Sequence, residues 1–143
     1  MELERVRQLN DRINYLNERI TLLKSKAYPG AIRYDDTGGS RLAPENKLEM
    51  ILCRIDEENR RVDRLTDMYV ALKKQAARVI FESDLEIEAR HILYLRYLAK
   101  DKQSHSLDWR AVIYHVNMLH NIQKTKIYKL HHIGVQRIKS YNI

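Results

Sequence analysis

The chain has 143 residues, enough for one globular domain or for a small domain with an extension. Charged residues make up 31% of it, with four glycines and two prolines, which indicates a helical protein rather than a β-sandwich or a disordered chain. A single cysteine, Cys53, allows no internal disulfide, and no apolar stretch has the length of a signal peptide core or a membrane span. We therefore expect a cytoplasmic protein with no membrane partner.

The formal net charge of +7 is concentrated in the last third of the chain. Residues 1–94 contain 17 basic and 17 acidic residues, whereas residues 95–143 contain 9 basic and 2 acidic ones. A basic module attached to a charge-balanced region is typical of proteins that bind polyanions. We therefore expect double-stranded DNA as a partner. The alternative is a basic surface that serves only solubility.

The first predicted helix, residues 2–26, carries an apolar repeat of seven residues. The repeat places six side chains on one narrow stripe: Val6, Leu9, Ile13, Leu16, Ile20 and Leu23. β-Branched residues alternating with leucine in this way favour two-stranded parallel coiled coils. We therefore expect this stripe to pair helices and the protein to be a homodimer.

A loop and a second long helix follow. Residues 27–45 contain turn-forming Pro, Gly and Asp and predict the loop, and a second apolar seam predicts a helix over residues 45–82. Glu58 occupies a position in this seam where an apolar residue is expected. Two arrangements bury both seams, an antiparallel hairpin within one chain or pairing of the first helices of two chains. A hairpin that also dimerises is possible, and a monomeric helical bundle is a further alternative.

Residues 83–143 are predicted to form a separate helix-turn-helix domain. Ser83 and Glu86 have the spacing of a capping box, which predicts a helix that begins there and runs to about residue 99. A polar loop separates it from a helix that Asp108 caps and Trp109 opens.

We expect the turn of this motif at residues 117–121. Asn121 would then be the N-cap of a last helix that runs to about residue 140. This turn is about four residues longer than a helix-turn-helix normally has.

The last predicted helix has one apolar face and one polar face. The apolar stripe consists of Ile127, Leu130, His131, Gly134, Val135 and Ile138. The opposite face carries side chains that suit base edges and phosphates, namely Lys124, Thr125, Tyr128, Lys129, His132 and Gln136, with Lys126 at its border. We expect Arg110, Arg137 and Lys139 to hold flanking phosphates.

The order of these residues resembles the ArpU-like and RinA-like late-transcription regulators of phages from Gram-positive hosts. Residues 92–98 (ILYLRYL) match the LRY helix of that family, Trp109 its W..IA segment, and residues 127–138 (IYKLHHIGVQRI) its final V..LH..AL..L helix. The resemblance implies a C-terminal domain like region four of bacterial sigma factors, bound to promoter DNA. It also implies long helices that dimerise or present a surface to host RNA polymerase.

Two other functions remain open at this point. One is a coiled-coil protein-interaction regulator whose helix-turn-helix no longer binds DNA, and the other is a small terminase-like packaging subunit. A metal site is not expected, because His131 and His132 point about 100° apart on a helix and no HExxH or Cys/His cluster occurs. The sequence offers no nucleophile–base arrangement or phosphate-binding glycine loop, so we expect neither enzymatic activity nor a cofactor.

Overall fold

The fold is all-α in the computed structural model, which describes residues 1–28 and 44–141. Its helices are α1 (Glu4–Ala27), α2 (Pro44–Glu82), α3 (Ile87–Leu93), α4 (Trp109–His120) and α5 (Lys124–Lys139). A π-helical turn, Tyr94–Leu98, continues α3. Both long helices begin and end close to their predicted bounds. Most of the loop predicted over residues 27–45 lies outside the described residues.

Sheet structure in the described ranges is limited to one isolated antiparallel bridge, between Lys100 and Ser106. None of the helices in these ranges combines the length and the apolar character that crossing a bilayer requires.

The chain divides into two compact units. One comprises residues 13–66, and the other combines residues 1–12 with residues 67–143. The predicted boundary at residue 82 does not coincide with this division. Ala76 and Ile80, near the end of α2, are completely buried and belong to the same unit as α3, α4 and α5.

Residues 13–66 form an antiparallel helical hairpin. Ile20 and Leu23 of α1 form a buried cluster with Ile55 of α2, and Ala27 and Ile51 pack against it. This contact confirms the hairpin, one of the two arrangements that the apolar seams allowed.

Residues of the same chain cover most of the apolar stripe of α1. Val6, Leu16, Ile20 and Leu23 are all less than 9% exposed, and Leu9 and Ile13 are half-buried. Helix pairing along this stripe therefore occurs within one chain at Ile20 and Leu23. Pairing of two chains through the six residues, and with it a homodimer, stays a prediction.

Glu58 is a buried acid within the hairpin. The residue is 4% exposed, and its Oε1 lies 3.6 Å from Arg19 Nε and 3.9 Å from Arg61 Nη1. Its Oε2 is buried with no hydrogen-bond partner among the described residues. The polar interruption of the α2 seam is thus a carboxylate that two half-exposed arginines balance only in part.

The unit that contains α3, α4 and α5 is built around an apolar cluster of buried side chains. The cluster consists of Ile92, Leu95, Val112, Val116, Ile122 and Ile127. Asn10 of α1 is 2% exposed and donates its side-chain amide to the Ser104 carbonyl (3.0 Å) and to Ser106 Oγ (3.2 Å). These bonds attach the start of α1 to the loop that precedes α4.

The predicted cap of α3 is wrong. The hydroxyl of Ser83 is buried and donates to the Ile80 carbonyl at 2.6 Å, so it belongs to the end of α2. α3 begins only at Ile87, after Glu86, whose side chain makes no capping hydrogen bond. A serine hydroxyl can donate to a preceding backbone carbonyl as well as accept from a following backbone amide. The spacing of Ser83 and Glu86 alone therefore does not determine the role of Ser83.

The predicted cap of α4 is confirmed and that of α5 is wrong. Asp108 Oδ1 accepts from the Ala111 amide at 2.9 Å, as an N-cap does. Asn121, however, ends α4 in a left-handed conformation with φ of 53°, and Gln123 precedes α5. Residues 117–120 are still helical, so the turn is shorter than predicted.

Candidate nucleic-acid interface

Only three residues, Asn121 to Gln123, join α4 to α5. The left-handed Asn121 reverses the chain, and Ile122 inserts into the apolar cluster with 7% exposure. The side-chain amide of Asn117 donates to the Ile122 carbonyl at 3.1 Å. Because the turn is both short and anchored, the direction in which α5 leaves α4 is fixed.

The apolar face of α5 is buried as predicted. Ile127, Gly134 and Ile138 are buried, and Leu130 and Val135 are half-buried. Gly134 allows an especially close approach, since a Cβ at this position would lie 3.0 Å from Cδ1 of Leu93 in α3. The remaining face of α5 therefore points away from the core.

His131 is part of the core, as its place in the apolar stripe predicts. Its Nε2 lies 2.7 Å from the hydroxyl of Tyr97, with the two rings stacked, and the ring of Trp109 meets it edge-on. Burial, followed by the charges of Arg96 and His132, lowers the pKa of His131 to about 4. The imidazole is therefore neutral near pH 7, and we assign its Nε2 as the acceptor of the Tyr97 hydroxyl.

The α5 residues that the sequence predicts to contact DNA are exposed along the whole helix. These residues are Lys124, Thr125, Lys126, Tyr128, Lys129, His132, Gln136, Arg137 and Lys139. Arg110, in the first turn of α4, is also exposed.

An open depression of about 530 Å³ follows the exposed face of α5. Lys124, Thr125, Tyr128, Lys129, His132 and Ile133 line it. The structure thus brings five of the predicted contact residues together in one concave surface.

Ile133 is the member of this surface that the sequence did not predict. It is 56% exposed although it is a large aliphatic residue. The signal was present in the sequence, because Ile133 lies outside the apolar stripe on the helical wheel. The polar residues opposite the stripe predict contacts with base edges and phosphates, and that prediction includes no apolar residue.

The lysines of α5 have no carboxylate partner among the described residues. Within the part of the chain that the structure describes, Lys124, Lys126, Lys129 and Lys139 form no ion pair. Arg137 differs, because its Nε lies 3.4 Å from Oδ1 of Asp84, with both side chains more than half exposed. An exposed pair of this kind contributes little stability, but Asp84 competes with any phosphate for Arg137.

Aromatic contacts position Tyr128 at the edge of the depression. The Trp109 ring meets the Tyr128 ring edge-on with centroids 5.0 Å apart, and Lys124 Nζ lies 5.9 Å from the Tyr128 centroid. The Arg96 guanidinium lies over the Trp109 ring at 4.5 Å. A cation–π contact and the core thus hold the indole against which Tyr128 rests.

A histidine pair joins α3 to the end of α4. His91 Nδ1 and His120 Nε2 share a hydrogen bond of 3.0 Å, with the rings nearly perpendicular. Burial, followed by His120 and His115, lowers the pKa of His91. Among the described residues, no three His, Cys, Asp or Glu side chains are grouped so that they could hold a metal ion.

Comparison with known proteins finds no match at any of three levels. No description of a protein family, no curated protein and no solved structure matches this chain.

Proposed function

We propose that this protein is a DNA-binding transcription regulator that contacts double-stranded DNA with the exposed face of α5. The observation that carries the proposal is the set of lysines along this face, which are exposed and form no ion pair with any carboxylate among the described residues. The resemblance in residue order to phage late-transcription regulators adds promoter DNA as the target. It also adds late-gene activation in a phage or prophage as the setting.

The dimensions of α5 suit the major groove. Its 16 residues span about 24 Å, and a helix with its side chains fits a groove about 12 Å wide. Lys124, Thr125 and Tyr128 lie in the first turns, the part of a recognition helix that normally faces base edges. Lys126, Lys139 and Arg110 are left to hold phosphates on either side.

The rigid attachment of α5 supports the same proposal. A reading helix must present its side chains in one register, since a contact displaced by an ångström no longer matches a base edge. The close packing of Gly134 on Leu93 and the hydrogen bond from Tyr97 to His131 fix the position of α5 on α3 and its π-helical continuation.

The proposal is tested by the affinity of the full chain for a labelled 30-base-pair duplex, measured by fluorescence anisotropy at low salt. The double variant Lys124→Ala/Lys129→Ala should bind about tenfold more weakly or worse, because two cations leave the contact surface. Lys24→Ala/Lys26→Ala is the matched control. It removes the same charge from exposed lysines in the last turn of α1 and should bind nearly as the parent does.

Circular dichroism of each variant separates loss of contact from loss of fold. An equal affinity of the folded α5 variant and the α1 control would overturn the placement of DNA on α5.

A second candidate function, a protein-interaction regulator, is favoured by one observation. A depression of about 350 Å³ beside α3 is lined by Phe81, Ile87, Arg90, His91 and Tyr94, and Ile87 is 71% exposed. An exposed apolar surface of this kind suits a protein partner, with host RNA polymerase as the candidate that the resemblance implies.

Light scattering on the full chain, run beside the DNA titration, distinguishes the remaining assemblies. We propose a homodimer. A ring-sized mass would favour a packaging subunit, and a dimer without DNA binding would favour the interaction regulator.

A further inference from the structure

We infer that the depression on α5 recognises the C5-methyl group of thymine in the major groove, with Ile133 as a specificity-determining residue. This inference rests on the proposed function and adds to it the class of base that is read.

The depression combines apolar and cationic groups side by side. Ile133 is 56% exposed and Tyr128 is 39% exposed, and both line it together with Thr125, which adds a methyl group. Lys129 stands four residues before Ile133, so the two side chains are neighbours on the helix surface. The pair thus presents an aliphatic group beside a hydrogen-bond donor.

Thymine is the base whose groove edge complements this pair. In the major groove it presents a methyl group next to the O4 acceptor, whereas cytosine presents an amino donor and no methyl. A lysine donor facing the cytosine amino group gains no hydrogen bond. None of the six described side chains in the depression carries a carboxylate, the group that would accept from cytosine.

The apolar side chains are also held in place before any ligand arrives. Tyr128 rests edge-on against Trp109, at a centroid distance of 5.0 Å. Ile133 is β-branched, and its χ1 angle is restricted in a helix. The Tyr128 and Ile133 side chains therefore lose little conformational freedom when they contact a methyl group. The contact also covers aliphatic surface that the free protein exposes to water.

The test replaces thymine by deoxyuridine, which removes the methyl group and leaves base pairing unchanged. Duplexes that bind the full chain are first selected from a pool of random 20-base-pair sequences. The enriched sequence is then synthesised with thymine and again with deoxyuridine, and both affinities are measured by anisotropy. We expect about fourfold weaker binding for each contacted methyl group that is lost.

Ile133→Ala is the diagnostic variant, and Met118→Ala is its matched control. Met118 is also a large exposed apolar residue, at 68%, but it lies on α4 outside the depression. Ile133→Ala should bring the ratio of the thymine and deoxyuridine affinities close to one at the sites it contacts. Met118→Ala should leave that ratio as in the parent.

The outcomes separate this inference from the function on which it rests. If no duplex is retained in the selection, DNA binding itself fails, and the inference fails with it. If duplexes are retained without sequence enrichment, or bind equally with deoxyuridine, DNA binding stands and methyl recognition is overturned. A deoxyuridine penalty that Ile133→Ala leaves intact overturns the role of Ile133.

Discussion

The rings of Trp109 and Tyr128 form a T-shaped contact with their centroids 5.0 Å apart, and through this contact the core of the unit that contains α3, α4 and α5 supports the exposed face of α5. Trp109 packs against the central apolar cluster, whereas Tyr128 lines the depression on α5. A change in the core at this point therefore alters the surface that we propose to contact DNA.

Replacing Trp109 by leucine should weaken both stability and DNA binding. The variant loses the edge contacts to Tyr128 and His131 and the cation–π contact with Arg96, and we expect a loss of about 2 kcal/mol in the free energy of unfolding. Trp109→Phe keeps an aromatic edge and should lose less than half as much. Thermal unfolding followed by circular dichroism, with anisotropy for DNA, measures both effects. Equal stability of the two variants would contradict the role given to the aromatic edge.

The close packing of α5 on α3 predicts that a side chain at position 134 destabilises the fold. In Gly134→Ala the new Cβ would meet Leu93 at 3.0 Å, and Leu93 is completely buried. Alanine gains about 1 kcal/mol in helix propensity, but overpacking costs about 1–3 kcal/mol, so we expect a net loss of about 1 kcal/mol.

The double variant Gly134→Ala/Leu93→Val tests the stated cause. Valine is smaller than leucine and leaves room for the new Cβ. The double variant should therefore lose less free energy of unfolding than the two single variants lose in sum, as measured by urea unfolding. Gln136→Ala, on the exposed face of α5, should change stability by less than about 0.5 kcal/mol. Strict additivity at positions 93 and 134 would show that the two residues do not clash.

His131 makes the stability of the fold depend on pH. Its pKa falls from the ordinary 6.5 to about 4 in the folded chain, so the unfolded chain takes up a proton at a higher pH than the folded chain does. Stability is therefore complete above about pH 6.5 and is lost as pH falls towards 4. The ring is only half-buried, so we expect this residue to contribute a loss of about 1–2 kcal/mol.

His131→Gln keeps an acceptor for the Tyr97 hydroxyl and removes the titrating group. Urea unfolding between pH 7 and pH 4 should show a smaller decrease in stability for this variant than for the parent. His91, whose pKa is also lowered, contributes to the decrease in stability that remains in this variant. The exposed neighbour variant His132→Gln should keep most of the decrease of the parent, because burial and not His132 is the main cause of the lowered pKa of His131, and the reverse pattern would contradict the assignment.

Glu58 should limit the stability of the hairpin. Glu58→Leu extends the apolar seam and removes a buried carboxylate oxygen that has no hydrogen-bond partner among the described residues, while Arg19 and Arg61 stay half-exposed to water. We expect this variant to be as stable as the parent or more stable, by about 1 kcal/mol.

Arg19→Ala should act in the opposite direction to Glu58→Leu. It removes a partner and leaves the acid buried, so it should destabilise the chain by about 1–2 kcal/mol. Thermal unfolding of both variants measures the two effects. A destabilising Glu58→Leu would contradict the claim that the Glu58 carboxylate limits the stability of the hairpin.

The regular features of this fold followed from the sequence. Seven-residue spacing located α1 and α2, and the stripe through Ile127 and Ile138 located the buried face of α5. Periodicity reports which face a helix buries, but not what covers that face. The stripe of α1 therefore suggested a second chain, whereas a helix of the same chain covers Ile20 and Leu23.

The features that the sequence did not predict depend on contacts between residues distant in sequence, or on side chains that can play two roles. Ser83 and Asn121 are good N-cap residues, but each of them ends a helix here. The bonds from Asn10 to the loop before α4 join residues more than 90 positions apart, and no local pattern announces them. Ile133 was visible on the helical wheel, but its importance depends on the concave surface that it shares with Lys129.

The salt dependence of DNA binding tests the central claim, that the α5 lysines contact phosphates or bases of a duplex. The affinity of the full chain for one duplex is measured at several salt concentrations, for the parent and for Lys126→Ala/Lys139→Ala, which removes two α5 lysines assigned to phosphates. With roughly five to seven phosphates neutralised, the slope of log K against log salt should be about −4 to −6, and the double variant should reduce its magnitude by about two. A slope near zero, or the same slope for both proteins, would contradict the account.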